Sequence, residues 1–115
     1  MPEIYTKIVG VTFSNENGDL RQDIIESLEA EFGSEKAFPL RFQHQPDHPE
    51  DENAIAIFGP HSRQIGFIRR KLAAEIAPML QRGFQISGEA TTITGTELIT
   101  HCYGINIRIE LEPPF

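Results

Sequence analysis

The 115 residues contain no tryptophan, one cysteine and no long apolar run. A single thiol, Cys102, cannot close an internal disulfide, so an oxidising compartment has left no mark. Cys102 also lacks the companions of a zinc cluster. No stretch of about 18 apolar residues occurs, so no membrane-spanning helix and no membrane partner are expected. The opening MPEIYTKIVG has no apolar h-region after a basic stretch, so no secretory leader is expected and the cytoplasm is the simplest location. Positive charge is scarce, with 10 Lys and Arg against 17 Asp and Glu, a net charge of −7. That balance counts against indiscriminate nucleic-acid binding. GxxxxGK[ST] and GxGxxG are both absent, so no cofactor is expected. No nucleophile sits in a GxSxG turn either, and no catalytic activity is expected.

Apolar residues make up 39% of the chain and charged residues 23%, a composition that folds. The length suits a single domain over 1–115 with one core, and eight Phe suggest a core of Phe and Ile. The charge is uneven. Residues 62–82 hold Arg63, Arg69, Arg70, Lys71 and Arg82 against Glu75 alone, a local net of +4, which leaves −11 for the remainder. Residues 14–36 contribute −5 of this, and Asp47, Glu50, Asp51 and Glu52 crowd together. A basic segment in an acidic domain suits either an anionic ligand or a solvated helix face.

Residues 4–13 (IYTKIVGVTF) read as a strand, with Gly10 marking a bulge or a close backbone approach. NENGD at 15–19 is a turn in which Asn17 or Asp19 can cap the next element. Leu20, Ile24, Ile25, Leu28 and Phe32 share one face at helical spacing, so 20–32 reads as an amphipathic helix stopped by Gly33. Leu40, Phe42 and His44 alternate with Arg41 and Gln43 as in a strand, and QPDHPEDE is a loop. AIAIF at 54–58 and RQIGFI at 63–68 read as a hairpin joined by GPHS. A short helix over 70–76 follows, with a second turn starting at Pro78 because proline lacks the donor of an unbroken helix. Residues 84–93 read as a strand. In 105–111, Ile105, Ile107, Ile109 and Leu111 alternate with polar residues in the clearest strand pattern of the chain; the tail EPPF ends pairing. About six short strands with one or two helices predict a mostly β (α+β) fold, a small closed or OB-like antiparallel barrel. Ile55, Ile57, Ile65, Ile107 and Ile109 are expected in its core.

His44, Asp47, His48, Glu50 and Asp51 resemble a metal-ligand cluster in composition. Pro46 and Pro49 exclude the helix that would bring His44 and His48 together, so no metal is expected. Phe13 and Phe67 lie near strand ends beside basic residues. Aromatic rings on a β-surface with Arg and Lys suit single-stranded nucleic acid, since every base has a π-face and every phosphate a charge. Burial in the core is the other role open to both rings.

The run DHPEDENAIAIF, followed by RQIGFIRRKLAAEIAPMLQRG, resembles the signature of the HIRAN family, NPYDxNAIxV and then xxGYIxRxxAxxLAPLLDxG. VGVTF, Arg21 and Ile24 are similar to the family's first strand and the stretch after it. The likeness covers about residues 4–90, and the last strands match in pattern only. It implies a modified OB-like β-barrel with helices on one side. HIRAN domains occur free-standing and fused to helicase-like translocases, where they read DNA ends by stacking terminal bases, contacting phosphates and hydrogen-bonding the 3′-hydroxyl. Carried over by residue, the resemblance makes Phe13 a stacking ring and Asp51 an acceptor for the hydroxyl. Phe67 and Arg70 fall where the family meets the backbone, and the basic run Arg69, Arg70 and Lys71 would contact phosphates. Glu50 stands at the signature Tyr, His48 at the Asn, and Thr12 where DNA-binding members can have Arg. Two readings follow: a non-catalytic module for single-stranded DNA or its 3′ end, with a helicase or nuclease as the partner class, or an interaction domain that kept the fold and lost the pocket. If DNA binds, Arg69, Arg70 and Lys71 should line one groove with Phe13.

Overall fold

A computed structural model describes residues 3–35, 37–95 and 102–114. Phe115 of the EPPF tail lies outside the described residues. In chain order the elements are β1 (Glu3–Val9), α1 (Arg21–Phe32), β2 (Phe38–His44), β3 (Ile55–Phe58), β4 (Gln64–Ile68), α2 (Arg70–Gln81), β5 (Gln85–Thr94) and β6 (Gly104–Glu112). A 3-10 turn, Pro60–Ser62, joins β3 to β4. The strands close into one barrel in the order β1-β4-β3-β2-β5-β6, and every pairing is antiparallel. Closure leaves no edge strand among the described residues, which answers the aggregation hazard of so many short apolar strands.

The barrel interior follows from strand alternation. Ile105, Ile107, Ile109 and Leu111 of β6 are buried, while Asn106, Arg108 and Glu110 between them point outward. Ile55, Ile57, Ile65, Ile107 and Ile109 are all fully buried, as their pattern predicts. Outside the barrel, Arg108 lies among Glu3, Glu89 and Glu110, a network spanning β1, β5 and β6. α1 packs against β4 with Ile24, Ile25 and Leu28. No helix among the described residues is long and apolar enough to cross a membrane.

Three expectations are corrected. The first strand stops at Val9, because Gly10 takes φ 73 and turns the chain, so Phe13 sits in a loop. Leu20 occupies the N-cap position of α1 and is half exposed, and neither Asn17 nor Asp19 caps the helix. Those two side chains instead bond each other. α2 runs unbroken through Pro78, which is exposed on its outer side. The proline forfeits one backbone hydrogen bond, while the inner face stays apolar through it: Leu72, Ala73, Ile76 and Ala77 before it are buried, and Met79 and Leu80 after it are half-buried against the core. Gly83, at φ 96, then ends the element.

The seam between β1 and β4 is the shortest in the barrel, pairing Ile8 with Ile68 and Val9 with Phe67. It depends on Gly66, where a Cβ would lie 2.3 Å from Ile8 Cγ2 and 2.5 Å from Val9 O. Gly66→Ala must therefore push β1 away, at an expected cost of about 1–3 kcal/mol. Ile57→Ala, which empties core volume without touching the seam, should cost about 2–5 kcal/mol. Urea unfolding of both variants measures these losses.

Candidate nucleic-acid interface

The chain between β1 and α1 is held at several points. Ser14 bridges to Leu20, Arg21 N–H donates to Phe13 O (3.3 Å), and Asn15 Nδ2 donates to Gln64 O of β4 (3.0 Å). Gln22 Nε2 donates to Val11 O and to Tyr103 O, both at 3.0 Å. At the centre of this loop lies Arg21, only 7% exposed. Its Nε donates to Asn15 Oδ1 and its Nη1 to Gly10 O, each at 2.8 Å, and its guanidinium lies 5.2 Å from the Phe67 ring centroid. Burial holds its pKa below the usual arginine value, though a guanidinium stays charged in a protein. Phe13, by contrast, is 66% exposed on this braced loop.

The loop between β2 and β3 forms the opposing wall. Asp51 Oδ1 accepts from Asn53 N–H (2.9 Å), which makes the turn before β3. His48 Nδ1 accepts from Glu50 N–H (3.2 Å), and its ring meets the edge of Phe67 at 81°. Arg70, in the first turn of α2, ties this loop down: Nη2 donates to Glu50 O (3.4 Å) and Nε lies 3.7 Å from Asp51 Oδ2.

Between these walls is a cleft of about 690 Å³. Phe13, Phe67, Asp51, Arg70 and Glu50 all line it, with Gly10 among them. A Cβ on Gly10 would lie 3.2 Å from Arg21 Nη1 and within 3.8 Å of both aromatic rings, so bare backbone keeps the space between the rings open. A second cleft of about 450 Å³ shares Arg21, His48 and Phe67 with the first and extends to Phe58, Gln45 and Arg63.

Of the residues singled out in the sequence, Phe13, Asp51, Phe67 and Arg70 meet in the first cleft. Arg69 and Lys71 do not line it, which corrects the expectation of one continuous basic groove. They flank Arg70 at the start of α2, and successive helix positions are rotated by about 100°, so one residue of the three faces the cleft. Arg63 belongs to the second cleft and Arg82 lies over Phe84, so the basic segment is dispersed. Phe67 is half-buried, with Arg21 over its ring, leaving Phe13 as the open platform. His44 Nε2 contacts Glu52 O, while His48 turns to Phe67. No three His, Cys, Asp or Glu side chains among the described residues gather as metal ligands. Arg21 and His48 as cleft residues were missed. The signal for Arg21 was a basic residue at the start of a helix on its apolar side, which periodicity alone reads as solvated.

A closed antiparallel barrel with a helix after β1, another after β4 and a ligand-sized cleft between two of its loops belongs to the OB-like binding barrels. Within that class, the model of the family described as HIRAN domain matches residues 3–112. The chain belongs to this family of DNA-binding modules. The crystal structure of the HIRAN domain of human HLTF superposes with a TM-score of 0.67 at 15% identity, covering 95% of this chain and 74% of that one. A protein from Lactobacillus plantarum, solved by a structural genomics consortium, gives a TM-score of 0.57 at 19% identity, covering 95% and 99%. At these identities the two structures establish the shared fold. No curated protein matches the chain at a significant level.

The different seats of the two rings give separable outcomes. Phe13→Ala should leave stability within about 0.5 kcal/mol of the parent, since the ring is mostly solvated. Phe67→Ala should lower it by more than about 1 kcal/mol, because it removes half-buried surface and the partner of Arg21. Thermal melts of the two variants side by side test this ordering.

Proposed function

We propose that this chain binds the 3′ end of single-stranded DNA in the first cleft and performs no chemistry on it. What supports the reading is the convergence there of a free aromatic face, a carboxylate and a cation: Phe13, Asp51 and Arg70. A terminal base stacks on Phe13, an interaction worth about 1–3 kcal/mol. Asp51 Oδ2 accepts the terminal hydroxyl, while its Oδ1 is held by Asn53 and cannot swing away. Arg70 meets the phosphate. A helicase or nuclease working on the same end is the partner class this implies.

The start of α2 adds a second support. Arg70 and Lys71 occupy its first turn, Arg69 its N-cap, and the first turn itself holds no acidic residue. Cations at the positive end of a helix dipole work against stability by about 0.3–1 kcal/mol each. The same concentration of positive charge attracts an anion. Arg69 and Lys71 then act at longer range, steering the strand toward Arg70.

One observation favours the alternative, an interaction domain without DNA. Glu50 lines the cleft with a carboxylate, at the position where the family signature places a tyrosine. A carboxylate beside a phosphate costs on the order of 1 kcal/mol or more at surface dielectric, and it offers no ring. Glu50→Tyr should therefore tighten binding of a single strand by about tenfold or more, a gain of about 1.4 kcal/mol. Arg70→Ala should weaken binding and make it less sensitive to salt, lowering the slope by about 0.7 for the one phosphate left without its cation. Fluorescence anisotropy across a salt series, with free and blocked 3′ ends, reads both effects. Binding that is undetectable in the parent and in Glu50→Tyr would leave the interaction domain as the function.

A further inference from the structure

Arg21 is a buried cation without a counter-charge. Among the described residues no carboxylate lies within ion-pair reach of it, and its two hydrogen-bond partners, Gly10 O and Asn15 Oδ1, are neutral. Removing a charge from water without pairing it is strongly unfavourable, so the site is incomplete as it stands. A guanidinium has five N–H donors, and only two are engaged here. Among the described residues, the single buried side-chain nitrogen or oxygen lacking a partner is Arg63 Nε. The unbonded Nη2 of Arg21 is therefore open to the clefts, both of which Arg21 lines.

The two clefts meet at a wall made of Arg21, His48 and Phe67. Any chain that enters both must cross that wall, and its crossing point faces the unpaired cation. The second cleft differs in chemistry from the first. Among the described residues the side-chain amide of Gln45 has no hydrogen-bond partner, and Glu16 and Asp19 also line the space. Those two carboxylates disfavour a phosphate inside this cleft, but they and the amide suit the donor and acceptor edge of a neutral base.

We propose that Arg21 is a phosphate-binding residue: it holds the phosphodiester joining the terminal nucleotide, seated against Phe13 and Asp51, to the preceding nucleotide, whose base enters the second cleft. The inference rests on the first cleft as the seat of the strand's end. It makes the recognised unit a dinucleotide step, with the charge of Arg21 neutralised on binding.

The test is a scan of neutral linkages. Single strands carrying one methylphosphonate at successive positions from the 3′ end are titrated against the full chain. Neutralising the final linkage should weaken binding to the parent by about tenfold or more, and linkages farther along by less. Arg21→Gln should bind more weakly and lose most of the sensitivity to the final linkage, the remainder coming from Arg70. Arg21→Lys, which keeps the charge, should retain part of the sensitivity. Circular dichroism establishes that each variant is folded, since both alter the donors to Gly10 O and Asn15. If neither variant folds, the scan on the parent decides alone: a loss peaking at the final linkage supports the assignment, and a flat profile or a peak elsewhere overturns it. Equal losses in the parent and in folded Arg21→Gln also overturn it, while end binding itself stands. Absence of binding by any strand, including to Glu50→Tyr, removes both.

Discussion

Taking a guanidinium out of water is costly unless its donors are met, and the chain between β1 and α1 is shaped around two of those of Arg21. Gly10 reaches φ 73, where a side chain would be strained, and its carbonyl accepts from Nη1. Asn15 accepts from Nε and, through its own amide nitrogen, fastens the loop to β4. The guanidinium then lies over Phe67 and keeps that ring half-buried. The same bonds brace the loop that carries Phe13, so an exposed aromatic is presented from a rigid support. Ordering such a ring before a ligand arrives reduces the entropy lost on binding.

The opposing loop is acidic, and its shape comes from its own side chains. Asp51 closes the turn before β3, His48 accepts from the backbone of Glu50, and Arg70 fastens the segment to α2. Arg70 thus faces the cleft and also steadies the loop beside it. The net charge of −7 says little about such a site. Part of the negative charge is engaged elsewhere, as in the Glu3, Glu89 and Glu110 network around Arg108. Local arrangement, with three cations starting α2 and a buried one behind Phe67, sets the field that an anion meets.

The strands were legible because a two-residue period is a local property. Ile105 to Leu111, and the Ile55–Ile57 and Ile65–Ile68 segments, announce both their conformation and their buried face. Pro78 misled because its local preference was real and was overruled by the apolar face continuing through it, a balance that becomes visible only once α2 lies on the barrel. Phe13 was legible as a candidate, but its exposure depended on where β1 stopped. Arg69, Arg70 and Lys71 looked equivalent as letters; the rotation of a helix separates them. Arg21 gave the weakest signal, since a lone arginine beside apolar helix positions is ordinarily solvated.

Composition and periodicity alone determined that the chain forms a mostly β barrel around a core of isoleucine, and the DENAIAIF and IGFIRRKLA runs carried its family. These follow from hydrophobic alternation and short-range motif, which need no knowledge of distant contacts. The cleft was decided by tertiary structure. It joins Gly10 and Phe13 to Glu50, Asp51, Phe67 and Arg70, residues brought together by barrel closure between β1 and β4. The desolvation of Arg21 was decided there too, because whether a charge is buried depends on what packs around it, and that is set by segments far away in the chain.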